Sequence, residues 1–507
     1  MDNKSRIVIN TIAQYTKTII NMVLSLYSTR LVLQILGVED YGIYNLAAGI
    51  IAMLSFIVSS LSVSTQRFIS YNQGKNDVNH VKHIFVNSLF LHLAVAIIFS
   101  IILLSISSFL FNGYLNIPPN RVDAAIVTYM IVVATLMLTF ISAPYSALVV
   151  SHEDIVYSSI VSVLDGIIKV VLVVILQYVS FDKLIIYAVF TLSIQILNYL
   201  CFRIYCMIKY EECVLMNLKY FSKEILLSMI GFTGWQIYGV ACLSFRQQGV
   251  AVVLNKFLGA AINAAYGLGF QVSSYLNFIA TSLSSAIRPQ LMKAEGGGDR
   301  NKMLLLSFEE SKIALILTTS LLIPCCFEIE GMLGIWLTEV PAYSSLFCRM
   351  FMICTMLDMT TTGLYSAIYS TGKIRNYSLL LQTPKLLVLL FAYLSLRLGY
   401  GLKWLVVSYV LIEAICAFMR LLLAKHQLNL SLSLYFNKCI RKLVLPICSS
   451  CIVSYSITSF VPEFSTRFFI TILISALIQY FIVYVYSLDD IEKDVIRLMI
   501  NKIKSKI

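Results

Sequence analysis

The chain has 507 residues, is 59% hydrophobic and only 13% charged. Soluble domains carry about twice that charge fraction, which excludes a soluble globular protein. A net charge of +12 would point to nucleic acid in a soluble chain, but the inner loops of a membrane protein collect Lys and Arg for topological reasons, so no nucleic-acid partner is expected.

Apolar runs of about 20 residues recur from end to end, each long enough to cross a ~30 Å hydrocarbon core. They are unbroken rather than alternating, which selects helices over a β-barrel. Fourteen spans are expected, near residues 8–36, 42–66, 84–111, 124–150, 156–180, 184–206, 225–257, 262–287, 303–327, 343–370, 377–398, 402–424, 443–461 and 467–487. The opening MDNKSR leads straight into the first span without a small-residue cleavage site and reads as a retained anchor. From Leu488 the tail reads as an amphipathic, lysine-bearing helix on the membrane surface. With the N-terminus inside, 25 Lys and Arg fall in inner segments, 6 in outer segments and 7 within spans. That bias predicts an even number of spans with both termini cytoplasmic.

The first span carries a polar stripe of Asn10, Gln14, Lys17, Asn21, Ser25 and Ser28. At about 100° per residue these lie within roughly 80° of one another on the helix. Lys17 falls near mid-depth, where a charge either lines a polar path or bonds a neighbouring helix. Arg30 is thirteen residues further on and about 220° away from the Lys17 face. In the fifth span Asp165 and Lys169 stand four apart, the spacing of a self-neutralising pair. Arg246 in the seventh span is expected near the outer side and Arg288 at the inner end of the eighth. Each arginine alone reads as an interfacial residue; together they form a set able to clamp phosphate. Asp358 and Glu413 lie deep in the tenth and twelfth spans without an obvious local partner. They are either carriers of Na+ or H+ or members of cross-helix pairs.

An internal repeat organises the chain. Shifted by 222 residues without gaps, residues 36–77 fall on 258–299 with 12 identities in 42 positions. Apolar composition does not account for the pairs Gly37/Gly259, Tyr44/Tyr266, Ser60/Ser282, Ser62/Ser284, Gly74/Gly296 and Asp77/Asp299. Six spans separate the two copies, so they run in the same direction, as in transporters built from parallel repeats with the substrate path between halves. This predicts an all-α polytopic protein with an N-lobe of six helices at 1–210 and a C-lobe of six at 211–430. Two further helices at 431–487 and a cytoplasmic tail at 488–507 complete the plan. Lys17 has Gly239 at its repeat position, so the expected cavity is asymmetric in charge.

Several chemistries are disfavoured. No G-x-x-x-x-G-K-[ST] loop is present, so no Walker-type ATPase is expected. The twelve cysteines are scattered, and Cys448-x-x-Cys451 lies inside an apolar span without a thioredoxin-like context. No His/Cys cluster suggests a metal, and no cofactor is expected. A membrane glycan polymerase or ligase needs an extended outer loop, whereas the outer segments here are short.

The stretches L-G-V-E-D-Y-G-I-Y-N-L (Leu36 to Leu46), Q-R-F-I-S-Y-N-Q-G-K-N-D (Gln66 to Asp77), G-F-T-G-W-Q-I-Y-G (Gly231 to Gly239) and R-P-Q-L-M-K-A-E-G-G-G-D (Arg288 to Asp299) resemble those of the Wzx-type polysaccharide flippases of the MATE-like exporter superfamily. The resemblance covers nearly the whole chain. It implies alternating access between two six-helix lobes in a bacterial inner membrane. The implied substrate is an undecaprenyl-diphosphate-linked oligosaccharide, as in O-antigen and lipopolysaccharide biosynthesis, with glycosyltransferases and a polymerase of the same pathway as partners. It further implies cationic cavity residues for the diphosphate and acidic sugars, for which Lys17, Arg30, Arg246 and Arg288 stand, flanked by Gln14 and Asn21. Asp358 and Glu413 are the coupling-ion candidates, and a monomer is expected. A MATE-type ion-coupled antiporter, a membrane glycan polymerase or ligase and a non-transporting scaffold are the alternatives.

Overall fold

The structure is a computed structural model that describes residues 3–52, 54–111, 117–214, 217–337, 340–461, 467–488 and 493. The tail expected over 488–507 therefore lies outside the described residues, apart from positions 488 and 493. Among the described residues every regular element is helical. The order is α1 Asn3–Ala52, α2 Ser55–Gly74, α3 Val78–Phe109, α4 Val122–Ser151, α5 Ile155–Leu176, α6 Lys183–Lys209, α7 Lys223–Leu258, α8 Ala260–Gly296 and α9 Arg300–Phe327. It continues with α10 Ile329–Trp336, α11 Ser344–Met359, α12 Thr362–Thr371, α13 Arg375–Tyr377, α14 Leu387–Arg397, α15 Leu402–Leu428, α16 Leu432–Tyr435, α17 Arg441–Phe460 and α18 Arg467–Ile482.

Eleven helical segments of the described chain are long and apolar enough to cross a membrane. The expected second, eighth and tenth spans are present as helix, but each falls short of that test for a local reason. The second is divided, since α1 runs to Ala52 and α2 restarts at Ser55. The eighth, within α8, is diluted by Asn263, Gln271, Asn277 and a run of serines. The tenth breaks at Thr360 and Thr361 between α11 and α12.

The repeat is written into the backbone at the 222-residue offset. Gly37 (φ 77) bends α1 where Gly259 (φ 85) separates α7 from α8, and both sit in the left-handed region that only glycine enters cheaply. Asn76 (φ 56) and Gly298 (φ 81) end α2 and α8, while α3 and α9 begin at Val78 and Arg300. The closing bonds match as well: Asp77 N donates to Asn72 O, and Asp299 N donates to Ala294 O.

The chain forms two compact units. Unit 1 comprises Met1–Tyr238, Ala286–Arg300 and Ser370–Gly372. Its centre is α4, which packs on α2, α3 and α6, while α1 packs along α5. Tyr129, Phe85, Phe140 and Leu148 are fully buried there, and Tyr129 donates to Leu103 O at 2.9 Å. Arg121, just before α4, clamps two turns: it forks onto Asp40 (2.8 and 2.7 Å) and reaches Asp182, the N-cap of α6, at 2.6 Å.

Unit 2 comprises Gly239–Ser285, Asn301–Tyr369 and Lys373–Ile507. α15 packs on α11 and α14, and α17 pairs with α18. The last helix is tied to α9 by polar bonds inside an apolar cluster. Arg467 and Thr471 bond the buried Glu328 carboxylate at 2.8 and 2.9 Å, and Gln479 donates to Thr319 at 2.8 Å. Between apolar helices in lipid, such bonds and close packing take over from the hydrophobic effect.

Candidate functional site

Unit 1 contains a polar cavity of about 450 Å³ within the bundle. Four helices other than α1 build its wall, each with hydroxyls or amides three or four residues apart, so that they share one helix face. α2 contributes Ser55, Ser59 and Ser62, and α4 contributes Thr139, Ser142 and Ser146. α5 contributes Ser158, Ser162 and Asp165, and α6 contributes Gln195 and Asn198. The charged groups of the wall are Lys17 from α1 and Asp165.

The α1 stripe supports this wall. Asn10 Nδ2 donates to Glu153 O at 2.9 Å, and Asn21 Nδ2 donates to Ser162 Oγ at 2.9 Å. Asn10 and Asn21 therefore pack against α5 and its preceding turn, and Lys17 is the member that opens into the cavity. Counted from Ile9, where the apolar segment starts, Lys17 is about 12 Å along the helix axis. Gln14 is half-buried outside the cavity wall. Asp165 does not pair with Lys169. Its carboxylate accepts from Asn198 Nδ2 at 2.5 Å. Among the described residues Lys17 has no carboxylate partner, even though Asp165 shares its cavity.

Arg30 is exposed on α1 and does not join this wall. Arg288 is half-buried on α8 in unit 1, also outside the wall.

In unit 2 the structure brings three of the expected residues together with two that the sequence did not single out. Glu413 on α15 is shared by Arg246 Nη1 at 2.9 Å and Lys385 Nζ at 2.5 Å. The Arg246 guanidinium also lies 4.7 Å from the centre of the Tyr409 ring, a cation–π distance. Asp358 on α11 is held by Arg420 Nη2 at 2.7 Å, and Arg420 Nη1 bonds Thr361 at 3.0 Å. Asp358 and Glu413 therefore both have partners on other helical segments, the cross-helix pairing that the sequence left open as one of two alternatives. Lys385 is placed by irregular backbone: a π turn at Ser378–Gln382 and a 3₁₀ turn at Pro384–Leu386 lead into α14. Such breaks re-aim side chains within a span.

The two clusters occupy equivalent corners of the repeat. One lies among α1, α5 and α6, the other among α7, α14 and α15. The first holds an unpaired lysine beside a cavity, whereas the second holds charges that neutralise one another. Among the described residues no group of three His, Cys, Asp or Glu is placed to hold a metal ion.

A family model described as polysaccharide biosynthesis protein matches residues 5–295, more than half of the chain. The chain belongs to the polysaccharide biosynthesis protein family. The match spans all the helices that line the unit 1 cavity, including Lys17 and Asp165, whereas Glu413, Lys385, Asp358 and Arg420 lie beyond it.

Solved structures share the fold of this polysaccharide biosynthesis protein. A MATE transporter in the bent conformation superposes with a TM-score of 0.75 at 18% identity, covering 85% of this chain and 96% of that one. An outward-facing multidrug-resistance MATE transporter gives 0.72 at 18%, with 85% and 96% covered. A MOP superfamily transporter from Pyrococcus furiosus, whose binding pocket is described as reversed in polarity, gives 0.72 at 17%, with the same coverage. No curated protein matches the chain. The protein is thus a multi-pass membrane protein with a MATE-like fold.

The serines of α2, α4 and α5 are the part of the site that reading the first span alone does not reveal. Their signal is present in the sequence as the spacings Ser55/Ser59/Ser62, Thr139/Ser142/Ser146 and Ser158/Ser162/Asp165. Each repeats, on another span, the polar stripe seen on α1.

Proposed function

We propose that this protein is a flippase that moves an undecaprenyl-diphosphate-linked oligosaccharide from the inner to the outer leaflet of a bacterial inner membrane, for surface polysaccharide biosynthesis. The observation that carries the reading is an unpaired lysine in a hydroxyl-lined cavity within the bundle of a polysaccharide biosynthesis family member. A half-buried cation without a counter-ion is costly in a membrane protein and is satisfied when an anion arrives. Lys17 supplies that contact for the diphosphate, since Glu413 already occupies Arg246. The polyprenyl tail stays in lipid, where burial in protein would gain little. Alternating access moves the head group, and both termini lie in the cytoplasm, as the Lys and Arg bias indicates.

Asp358 and Glu413 stay the coupling-ion candidates of this reading. A sodium ion or proton would have to displace Arg420 from the first, or Lys385 and Arg246 from the second. A second reading, a MATE-type ion-coupled antiporter of small cations, draws on the fold and on Asp165 in the cavity wall.

Lys17→Ala tests the proposal. A lost charge-assisted contact corresponds to a tenfold to hundredfold loss of transport, on the order of 1.5–3 kcal/mol. The variant is expected to insert normally, to lose surface glycan and to retain lipid-linked repeat units inside, with Lys17→Arg keeping part of the activity. Normal surface glycan in Lys17→Ala would overturn the role of Lys17. Ion-driven efflux of organic cations that depends on Asp165, with no effect on surface glycan, would favour the antiporter.

A further inference from the structure

We infer that the unit 1 cavity is a subsite for an uncharged, hydroxyl-rich sugar residue, and that its wall turns away sugars bearing a carboxylate. The inference rests on the proposed transport of a lipid-linked glycan and goes on to specify which glycans that site accepts.

Charge comes first. The wall offers Lys17 and Asp165, one cation and one anion, so no positive excess remains for an anionic sugar once a phosphate has taken Lys17. Asp165 is held in place by the 2.5 Å bond from Asn198, and a uronic acid carboxylate in the same space would face it directly. Like charges brought together out of water disfavour binding.

Hydrogen-bonding capacity comes second. Ser59 and Thr139 already donate their hydroxyl hydrogens to carbonyls on their own helices, Phe56 O at 3.0 Å and Thr135 O at 2.9 Å. The Ser142 hydroxyl donates to Asn198 Oδ1 at 3.5 Å. What these groups retain are acceptor lone pairs, and Asp165 is acceptor-only. Acceptors at these positions complement a ligand that brings O–H donors. A sugar ring does so; a carboxylate, which only accepts, does not, while phosphate oxygens find their donor in Lys17.

Shape comes third. Val58, Ala143 and Phe202 interrupt the polar wall, and a pyranose has apolar C–H faces to set against them. A cavity of about 450 Å³ is within the size range of small-molecule sites.

Three lipids form the test: a short polyprenyl diphosphate, the same lipid carrying glucose and the same lipid carrying glucuronic acid. Binding of each to the purified full-length protein in nanodiscs is measured for wild type and Asp165→Asn. The wild type is expected to bind the glucosyl lipid at least about tenfold more tightly than the bare diphosphate, and the glucuronyl lipid no better than the bare one. Asp165→Asn is expected to raise glucuronyl binding toward the glucosyl value, a gain that a misfolded variant cannot mimic. Equal binding of all three lipids, or tighter wild-type binding of the glucuronyl lipid, overturns the subsite and leaves the transport reading standing. Failure of even the bare diphosphate lipid to bind wild type overturns the transport reading and this inference with it.

Discussion

Glu413→Gln is the perturbation whose outcome separates a structural ion pair from a coupling-ion site. In the wild type one carboxylate, about 5% exposed, serves Lys385 at 2.5 Å and Arg246 at 2.9 Å. At an effective dielectric near 20, each such contact corresponds to roughly 6 kcal/mol of Coulomb attraction. Desolvation cancels much of this, and removing one partner of a buried pair usually costs about 3–5 kcal/mol, because the remaining charge is stranded. Here two cations are stranded at once, so the upper part of that range applies. For a unit of this size the loss corresponds to a drop of about 8–20 °C in the unfolding midpoint. Lys385→Met should behave differently, since Glu413 keeps Arg246 and the cluster becomes a one-to-one pair. Its midpoint should stay within about 2 °C of wild type, near the balance of desolvation and attraction. Thermal unfolding followed with a thiol-reactive dye suits this protein, because Cys325, Cys348, Cys354 and Cys416 are buried in unit 2 and become reactive on unfolding. A Glu413→Gln protein as stable as wild type, with transport that no longer responds to the sodium or proton gradient, would refute the structural account and assign Glu413 to coupling.

Other consequences follow from the same geometry. Gly74→Val and Gly296→Val should each destabilise unit 1 by about 3 kcal/mol through overpacking, because a Cβ at these positions would run into the backbone carbonyls of Lys293 and Tyr71 respectively. The yield of monodisperse protein reports this, and unchanged yield and midpoint would contradict the close approach. Arg121→Ala should lower stability at neutral pH by about 1 kcal/mol, the scale of a partly exposed pair. The Arg121 hydrogen bond holds the Asp182 carboxyl below its ordinary 3.8. That contribution is full above this value and is lost as pH falls through the depressed pKa. The midpoint difference between wild type and Arg121→Ala should therefore narrow below about pH 4, and a difference that widens in acid would overturn the pairing. Arg420→Met should strand Asp358 and lower the unfolding midpoint, whereas an unchanged midpoint would show that Asp358 does not depend on this partner.

The parts of this protein that were legible in its sequence are those carried by one helix or by the repeat. The offset of 222 read from identities such as Gly37/Gly259 and Gly74/Gly296 reappears in φ angles, helix starts and turn hydrogen bonds. Two members of the α1 stripe, Asn10 and Asn21, bond across to α5 and its preceding turn, and Lys17 does line a cavity. Contacts between distant spans were not legible. Arg246, Lys385 and Glu413 meet although 167 and 28 residues separate the first two from the third, and hydropathy treats each span alone. Asp165 and Lys169 have the spacing of a pair, yet Asn198 on a neighbouring helix takes the carboxylate. The serine stripes were readable but weak as a signal, because serines at helical spacing in apolar spans commonly bond their own backbone, as Ser59 does.

The central claim is that the substrate is a lipid-linked glycan. Depleting the protein in its native host and analysing the lipid extract by mass spectrometry tests this most directly. The account predicts that an undecaprenyl-diphosphate-linked oligosaccharide accumulates, shielded on the cytoplasmic leaflet, while the matching surface polysaccharide disappears. Unchanged surface polysaccharide with no accumulated lipid-linked glycan would contradict it.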